Sequence, residues 1–213
     1  MMKRIFLVRH DETDWNREKR FQGQMDISLN GTGLGQARSV AEALKDVPPD
    51  RIVASPLSRA RETARPLEEL TGLRAELCGG LIEIAHGLWE GRAAPEVEAE
   101  WPGMLETWHS RPERVVMPGG ESLADVQNRA CPALLRIAEG TGENIAVFTH
   151  DAVLKVLLMN VLDCSLSSFW RFQLANGSIT LLELSAMGWR IPLMGEAGHL
   201  GSVFGIRAEQ KGL

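Results

Sequence analysis

The chain has 213 residues, a formal net charge of −5, 44% hydrophobic residues and 24% charged residues. These values suit a soluble globular protein with a substantial core; they offer no basic face for nucleic acid, although a few arginines can still set the potential of a small pocket. Cys78, Cys131 and Cys164 are scattered with no C-x-x-C pair, which argues against a disulfide framework or a zinc knuckle and for three buried thiols in a reducing cytoplasm.

The chain opens on "MMKRIFLVRH", whose apolar run is too short for a secretory leader. Within it "RIFLV" (Arg4 to Val8) reads as a strand covered on both faces. A helix is expected from Thr32 to Lys45. Pro48 and Pro49 then punctuate the chain before a second short strand, "RIVAS" (Arg51 to Ser55), and an amphipathic helix from Leu57 to Leu70. Cys78 to Pro95 and Arg111 to Gly120 read as long loops. Between them Val97 to Trp108 is expected to be a helix, with Trp101 and Trp108, seven apart, on one apolar face. Glu121 to Glu139 is helical, with Pro132 expected to kink or divide it. "NIAVFTH" (Asn144 to His150) is a third strand and Ala152 to Leu162 a further helix. That last helix contains the longest apolar stretch, but Lys155 and Asn160 interrupt it, so nothing reads as membrane-spanning. "SITLLEL" and "WRIPL" form a late strand pair, the one feature suited to edge-to-edge pairing of two copies, and a glycine-rich, loosely ordered tail is expected after Leu193.

Strand and helix alternate, which predicts an α/β fold: a three-layer α/β/α sandwich around a mostly parallel sheet. The expectation is one domain over residues 1–213 with a helical lid inserted around residues 93–120.

In such sheets chemistry gathers at the carboxyl ends of the strands. The first strand ends at Arg9 and His10. The second is followed by "ASPLSRARETA", with Arg59 in the first turn of the next helix, and the third ends at His150. Guanidinium groups fork onto phosphate oxygens, and a helix N-terminus adds backbone donors. A neutral imidazole can attack phosphorus. Phosphoryl transfer asks mainly for positioning and charge neutralisation, so His10 is the candidate nucleophile, with Arg9, Arg59 and a protonated His150 holding the charge. Glu83, in the apolar loop "LIEIAHGLWEG", is the candidate general acid.

With these residues in place, "LVRHDETDWNREKRFQGQMDISLNGTGLGQA" resembles the opening of the histidine phosphatase superfamily, in the branch containing the cofactor-dependent phosphoglycerate mutases. The resemblance continues in order through "ASPLSRARETA", "LIEIAHGLWEG", "PGGESLADVQNRA", "NIAVFTHDAVLK", "NGSITLLEL" and "GEAGHL". It implies a phosphoglycerate mutase-like fold, a phosphorylated His10, a phosphate pocket of Arg9, Arg59 and His150, and Glu83 as proton donor and later as the base that activates water. It also implies that Asn16, Gln22 and Gly23 line the substrate phosphate, and that no metal or organic cofactor takes part.

The sequence departs from this family at two positions. Where glycine usually follows the first histidine, here stands Asp11; where a small pair follows the second, here stand Asp151 and Ala152. The readings left open are that both carboxylates point away, Asp151 capping a helix and Asp11 sitting in a turn; that they bind substrate and favour a cationic or polyhydroxylated leaving group; that they impair catalysis by holding histidines protonated; or that they form a metal site with the histidines, which would disable the nucleophile. His86 and Trp89 either touch substrate or pack the Glu83 loop. His109 reads as a surface residue, and His199 as packing.

The function expected is a metal-independent phosphomonoester hydrolase acting through a phosphohistidine on a small phosphorylated metabolite, in the cytoplasm. The alternatives are a phosphoglycerate mutase-type phosphomutase, which would need a longer insertion after Glu83 and a closing tail to keep water out, or a catalytically impaired phosphate-binding protein.

Overall fold

The computed structural model describes residues 2–201. Strand β1 (Lys3–Arg9) is followed by a short helix α1 (Asp14–Glu18) and then α2 (Gly31–Leu44), β2 (Arg51–Ala54) and α3 (Ser58–Thr71). A two-residue strand β3 (Glu76–Leu77) precedes α4 (Ala94–Glu100) and α5 (Met104–Ser110). The long helix α6 (Leu123–Glu139), β4 (Asn144–Thr149), α7 (Asp151–Val161), β5 (Ile179–Ser185) and β6 (Gly188–Glu196) complete the chain. The six strands form one sheet in the order β3-β2-β4-β1-β5-β6. The first four are mutually parallel, and β5 runs antiparallel to β1 and to β6.

Strand parity makes the layers. Successive side chains alternate between faces, and here both faces are apolar. Ile5, Leu7, Val53, Ile145 and Val147 join one buried cluster with residues of α4 to α7. Phe6, Val8, Ile52, Ala54, Ala146 and Phe148 join a second with α2 and α3. Helices therefore cover both faces of a mostly parallel sheet, as the apolar strand runs predicted. β6 is an edge strand, the position in a sheet where a proline such as Pro192 is tolerated.

Several local expectations change. Val97 to Trp108 is not one helix: Pro102 and Gly103, the latter at φ +78°, separate α4 from α5. Trp101 and Trp108 thus sit on different pieces, and only Trp108 is core. Pro132 does not divide α6. A proline removes one hydrogen bond at a cost of about 3 kcal/mol, and Ala130, Ala133, Leu134 and Ile137, all buried around it, hold the helix continuous. None of the three thiols is fully buried: Cys78 and Cys131 are half-buried and Cys164 is exposed. Beyond Leu193 the chain finishes β6 and makes a 3-10 turn at Gly198–Leu200; the rest of the expected tail lies outside the described residues. No helix among the described residues is long and apolar enough to cross a membrane.

Candidate active site

β2, β4 and β1 are neighbours and parallel, so their carboxyl ends share one edge of the sheet. The ladder continues past β1: the His10 N–H donates to the Thr149 carbonyl at 2.9 Å and the Arg9 N–H to that of Ser178 at 3.1 Å. This fixes His10 beside His150, the residue capping α7, with ring centroids 5.2 Å apart.

The state of His10 follows from its partners. Its Nδ1 lies 2.7 Å from the Asp11 carbonyl. A carbonyl only accepts, so Nδ1 carries the proton and Nε2 keeps its lone pair. Burial, then the charges of Arg59 and Arg9, hold the imidazole well below its usual pKa and hence neutral. The same causes hold His150 neutral, burial first, then Arg59 and His10; a protonated His150 was expected. Its Nε2 lies 2.7 Å from the Ser55 hydroxyl.

The guanidinium groups are held by backbone carbonyls. Arg59 is wholly buried. Its Nη1 donates to the Met25 carbonyl at 2.9 Å and its Nη2 to that of Gly23 at 2.7 Å. Burial pulls its pKa down to about 10, still cationic at neutral pH. Arg9 Nη1 donates to the Leu174 carbonyl and lies 3.4 Å from Asp151 Oδ1.

Glu83 sits on a loop that Arg129 organises. Arg129 grips both Glu121 oxygens at 2.8 Å and donates to the carbonyls of Gly80, Ile82 and Glu83 at 3.1, 2.6 and 3.0 Å. Burial raises the Glu83 pKa; Arg59 opposes this and the nearby Asp151 adds to it. That combination favours a carboxyl able to carry a proton.

These groups meet around a cavity of about 480 Å³, whose wall includes Arg9, His10, Asn16, Gln22, Gly23, Arg59, Glu83 and Asp151. Fully buried His150 backs His10 rather than lining the wall. Asn16 is oriented by a capping box with Thr13, whose N–H and hydroxyl donate to its Oδ1 at 3.1 and 3.0 Å. The Gln22 Oε1 is buried with no hydrogen-bond partner among the described residues. Gly23 has φ +53°, and a Cβ there would lie 2.1 Å from Glu90 Oε1, so any larger residue would strain the backbone and displace the Glu90 carboxylate.

The two unusual carboxylates separate. Asp11 does not line the cavity. It is fully buried, and its Oδ1 would lie 2.3 Å from a Cβ placed on Gly177, so the side chain points into the turn before β5. Neither oxygen has a hydrogen bond among the described residues. The Thr63 hydroxyl accepts the Asp11 N–H and gives its own proton to the Arg59 carbonyl. Burial therefore pushes the Asp11 pKa well up. Asp151 does line the cavity, and it is the first residue of α7 rather than its cap. Its carboxylate meets Lys155 Nζ at 2.8 Å and Arg9 at 3.4 Å. Burial opposes its ionisation, and the two cations overcome that, holding it below the usual carboxylate range.

His86 lines the cavity, and burial brings its pKa down to about 4. Trp89 is fully buried packing. His109 is exposed against the Trp170 ring, and His199 bridges Glu196 and the Gly177 carbonyl. Sequence reasoning missed Lys155, Arg129, Trp108, Phe169, Trp170 and Asn176 as parts of the site. Only Asn176, which donates to the His10 carbonyl at 2.9 Å, had a signal, in "NGSIT".

The fold and this edge define an α/β protein whose strand ends deliver a neutral histidine and two cations to a space fit for a tetrahedral oxyanion. Residues 5–197 match the family model of the histidine phosphatase superfamily, branch 1, and the chain belongs to that family. It is 32% identical over 204 residues to phosphoserine phosphatase 1 of Hydrogenobacter thermophilus, covering 95% of this chain and 97% of that one. It is 32% identical over 207 residues to a probable phosphoglycerate mutase GpmB of an Enterobacter species, covering 93% and 95%. Among solved structures, Bacillus stearothermophilus YhfR superposes with a TM-score of 0.89 at 30% identity, over 93% of this chain and 99% of that one.

Proposed function

We propose that the protein is a phosphomonoester hydrolase that works through a phosphohistidine on a small phosphorylated metabolite. The observation that carries this is His10: neutral, with Nδ1–H committed to a backbone carbonyl, Nε2 left with its lone pair, and the residue lining a cavity flanked by Arg9 and Arg59.

The His10 Nε2 lone pair attacks phosphorus as the bond to the leaving alcohol oxygen breaks, and Glu83 gives its proton to that oxygen. The alcohol departs. Glu83, now a carboxylate, takes a proton from water as the water oxygen attacks phosphorus, and the P–N bond breaks to restore His10 and release phosphate. Arg9 and Arg59 hold the equatorial oxygens. Asn16 of α1, with Gln22 and the Gly23 region of the segment that follows it, contacts the phosphate. A phosphate dianion beside His150 reverses the local field that keeps the ring neutral, so His150 takes up a proton as substrate binds.

The chain acts as one domain with residues 93–120 as a lid. Trp108 of α5 faces the cavity, and its carbonyl accepts from Trp170 Nε1 at 2.7 Å. Water activation by Glu83 requires no metal, and a relative bears the name metal-independent phosphoserine phosphatase. The GpmB resemblance supports a second reading, return of the phosphoryl group to another hydroxyl of the substrate.

Hydrolysis of p-nitrophenyl phosphate in chelator, with an acid-labile, base-stable label on wild type and none on His10→Ala, is the expected result. An isomerisation rate on phosphoglycerate that exceeds phosphate release would replace hydrolase with mutase. A screen of phosphorylated metabolites for phosphate release then ranks substrates.

A further inference from the structure

Lys155 projects from α7 into the protein, with its side chain 2% exposed. The chemistry above makes no use of it. Its ammonium lies 2.8 Å from Asp151 Oδ2 and 4.7 and 4.6 Å from the ring centroids of Phe169 and Trp170. Asp151 in turn lies 3.4 Å from Arg9 Nη1 on its other oxygen. A buried cation is expensive to hold unless it has a fixed counter-charge and polarisable walls, and this one has both.

The row of charges has a consequence for phosphate. Arg9 with Asp151 alone would be neutral overall, and Arg9 would add no net positive charge to the oxyanion pocket beside Arg59. Lys155 cancels the Asp151 charge from behind. Asp151 can then fix the direction of Arg9 without neutralising it. The geometry fits this order: Asp151 begins α7, Lys155 is one turn on, and both face the same side.

We propose that Asp151 and Lys155 are a coupled pair of positioning residues: Asp151 orients Arg9 toward the phosphate, and Lys155 supplies the charge that keeps that carboxylate from repelling it. The pair rests on the phosphatase reading and deepens it. It also explains how an aspartate occupies a position next to the second histidine where a carboxylate would otherwise oppose an anionic substrate.

The test is competitive inhibition by inorganic phosphate, with kcat and KM on p-nitrophenyl phosphate. It uses wild type, Lys155→Met, Asp151→Asn and the double variant, each checked for folding by circular dichroism. Lys155→Met exposes the carboxylate charge and should weaken phosphate inhibition roughly tenfold or more. Asp151→Asn removes the negative charge but frees Arg9, so phosphate should bind at least as tightly as to wild type while kcat falls. In the double variant the net charge returns to that of wild type, and phosphate inhibition should recover to within about threefold. Equal inhibition of wild type and Lys155→Met, or a double variant no better than Lys155→Met, overturns the pairing. If Lys155→Met does not fold, weaker phosphate binding by Asp151→Asn overturns it instead. Wild type that neither hydrolyses the ester nor binds phosphate refutes the phosphatase reading itself.

Discussion

Gly177→Ala tests where Asp11 points. Gly177 has φ +69°, and a Cβ there would lie 2.3 Å from Asp11 Oδ1 and 3.1 Å from Leu200 Cδ1. Two costs follow. The left-handed backbone costs an alanine about 1–2 kcal/mol whatever surrounds it. The clash with Asp11 adds about 1–3 kcal/mol, because a fully buried carboxyl cannot swing aside into solvent. Leu200 can shift by a few tenths of an ångström in any background. The single variant should therefore lose about 2–5 kcal/mol, and in an Asp11→Ala background the same change should cost only the backbone part. The difference, about 1–3 kcal/mol of coupling, corresponds to roughly 3–10 °C in Tm for a chain of this size. Urea and thermal unfolding of the four proteins measure it. Activity should follow, because the Asp11 carbonyl fixes the His10 tautomer. If Gly177→Ala costs the same with and without the Asp11 carboxyl, that side chain does not lie in the turn, and its removal from the substrate-binding set is wrong.

Other outcomes follow from the site. Glu83→Gln should lower kcat by about 10²–10⁴-fold for alkyl phosphates, whose alkoxide needs a proton, and much less for p-nitrophenyl phosphate; equal losses on both would remove Glu83 as the acid. Because burial and the arginines depress the His10 pKa, the nucleophile stays neutral well below pH 6.5, so the acidic limb of kcat/KM should fall below that value; a limb at or above pH 6.5 would contradict the geometry. Phosphate binding near pH 7 should take up a proton at His150, read by calorimetry in buffers of different ionisation enthalpy; no buffer dependence in wild type, or an undiminished one in His150→Gln, would reject that step. For Asp11 the pKa is raised on folding, so its burial is tolerated below about pH 3.8 and costs stability as pH rises through the folded value. Asp11→Asn should therefore gain stability relative to wild type between pH 5 and pH 8, and a pH-independent difference would show that the carboxyl is solvated.

The layers and the reactive edge were legible in the sequence because both rest on short-range pattern. Apolar runs such as Arg4 to Val8 and Asn144 to His150 read as strands buried on both faces; Arg9 and His10 follow directly on the first, and the second ends at His150. His10, Arg59 and His150 could be placed together once those strands were neighbours. Boundaries were less secure where a local rule met packing: Pro132 stayed helical inside a buried face, and Pro102 with Gly103 broke what periodicity joined.

The sequence showed two aspartates beside two histidines and nothing more about them. Only the tertiary structure sent Asp11 into the Gly177 turn and Asp151 between Lys155 and Arg9. The same holds for the charge states. His150 is neutral first because the fold buries it and then because Arg59 and His10 approach it, and neither is near it in the chain. Secondary structure is written in near neighbours. The direction of a side chain and the protonation of a buried group are set by everything the fold brings within a few ångströms, and that sum exists only once the chain is folded.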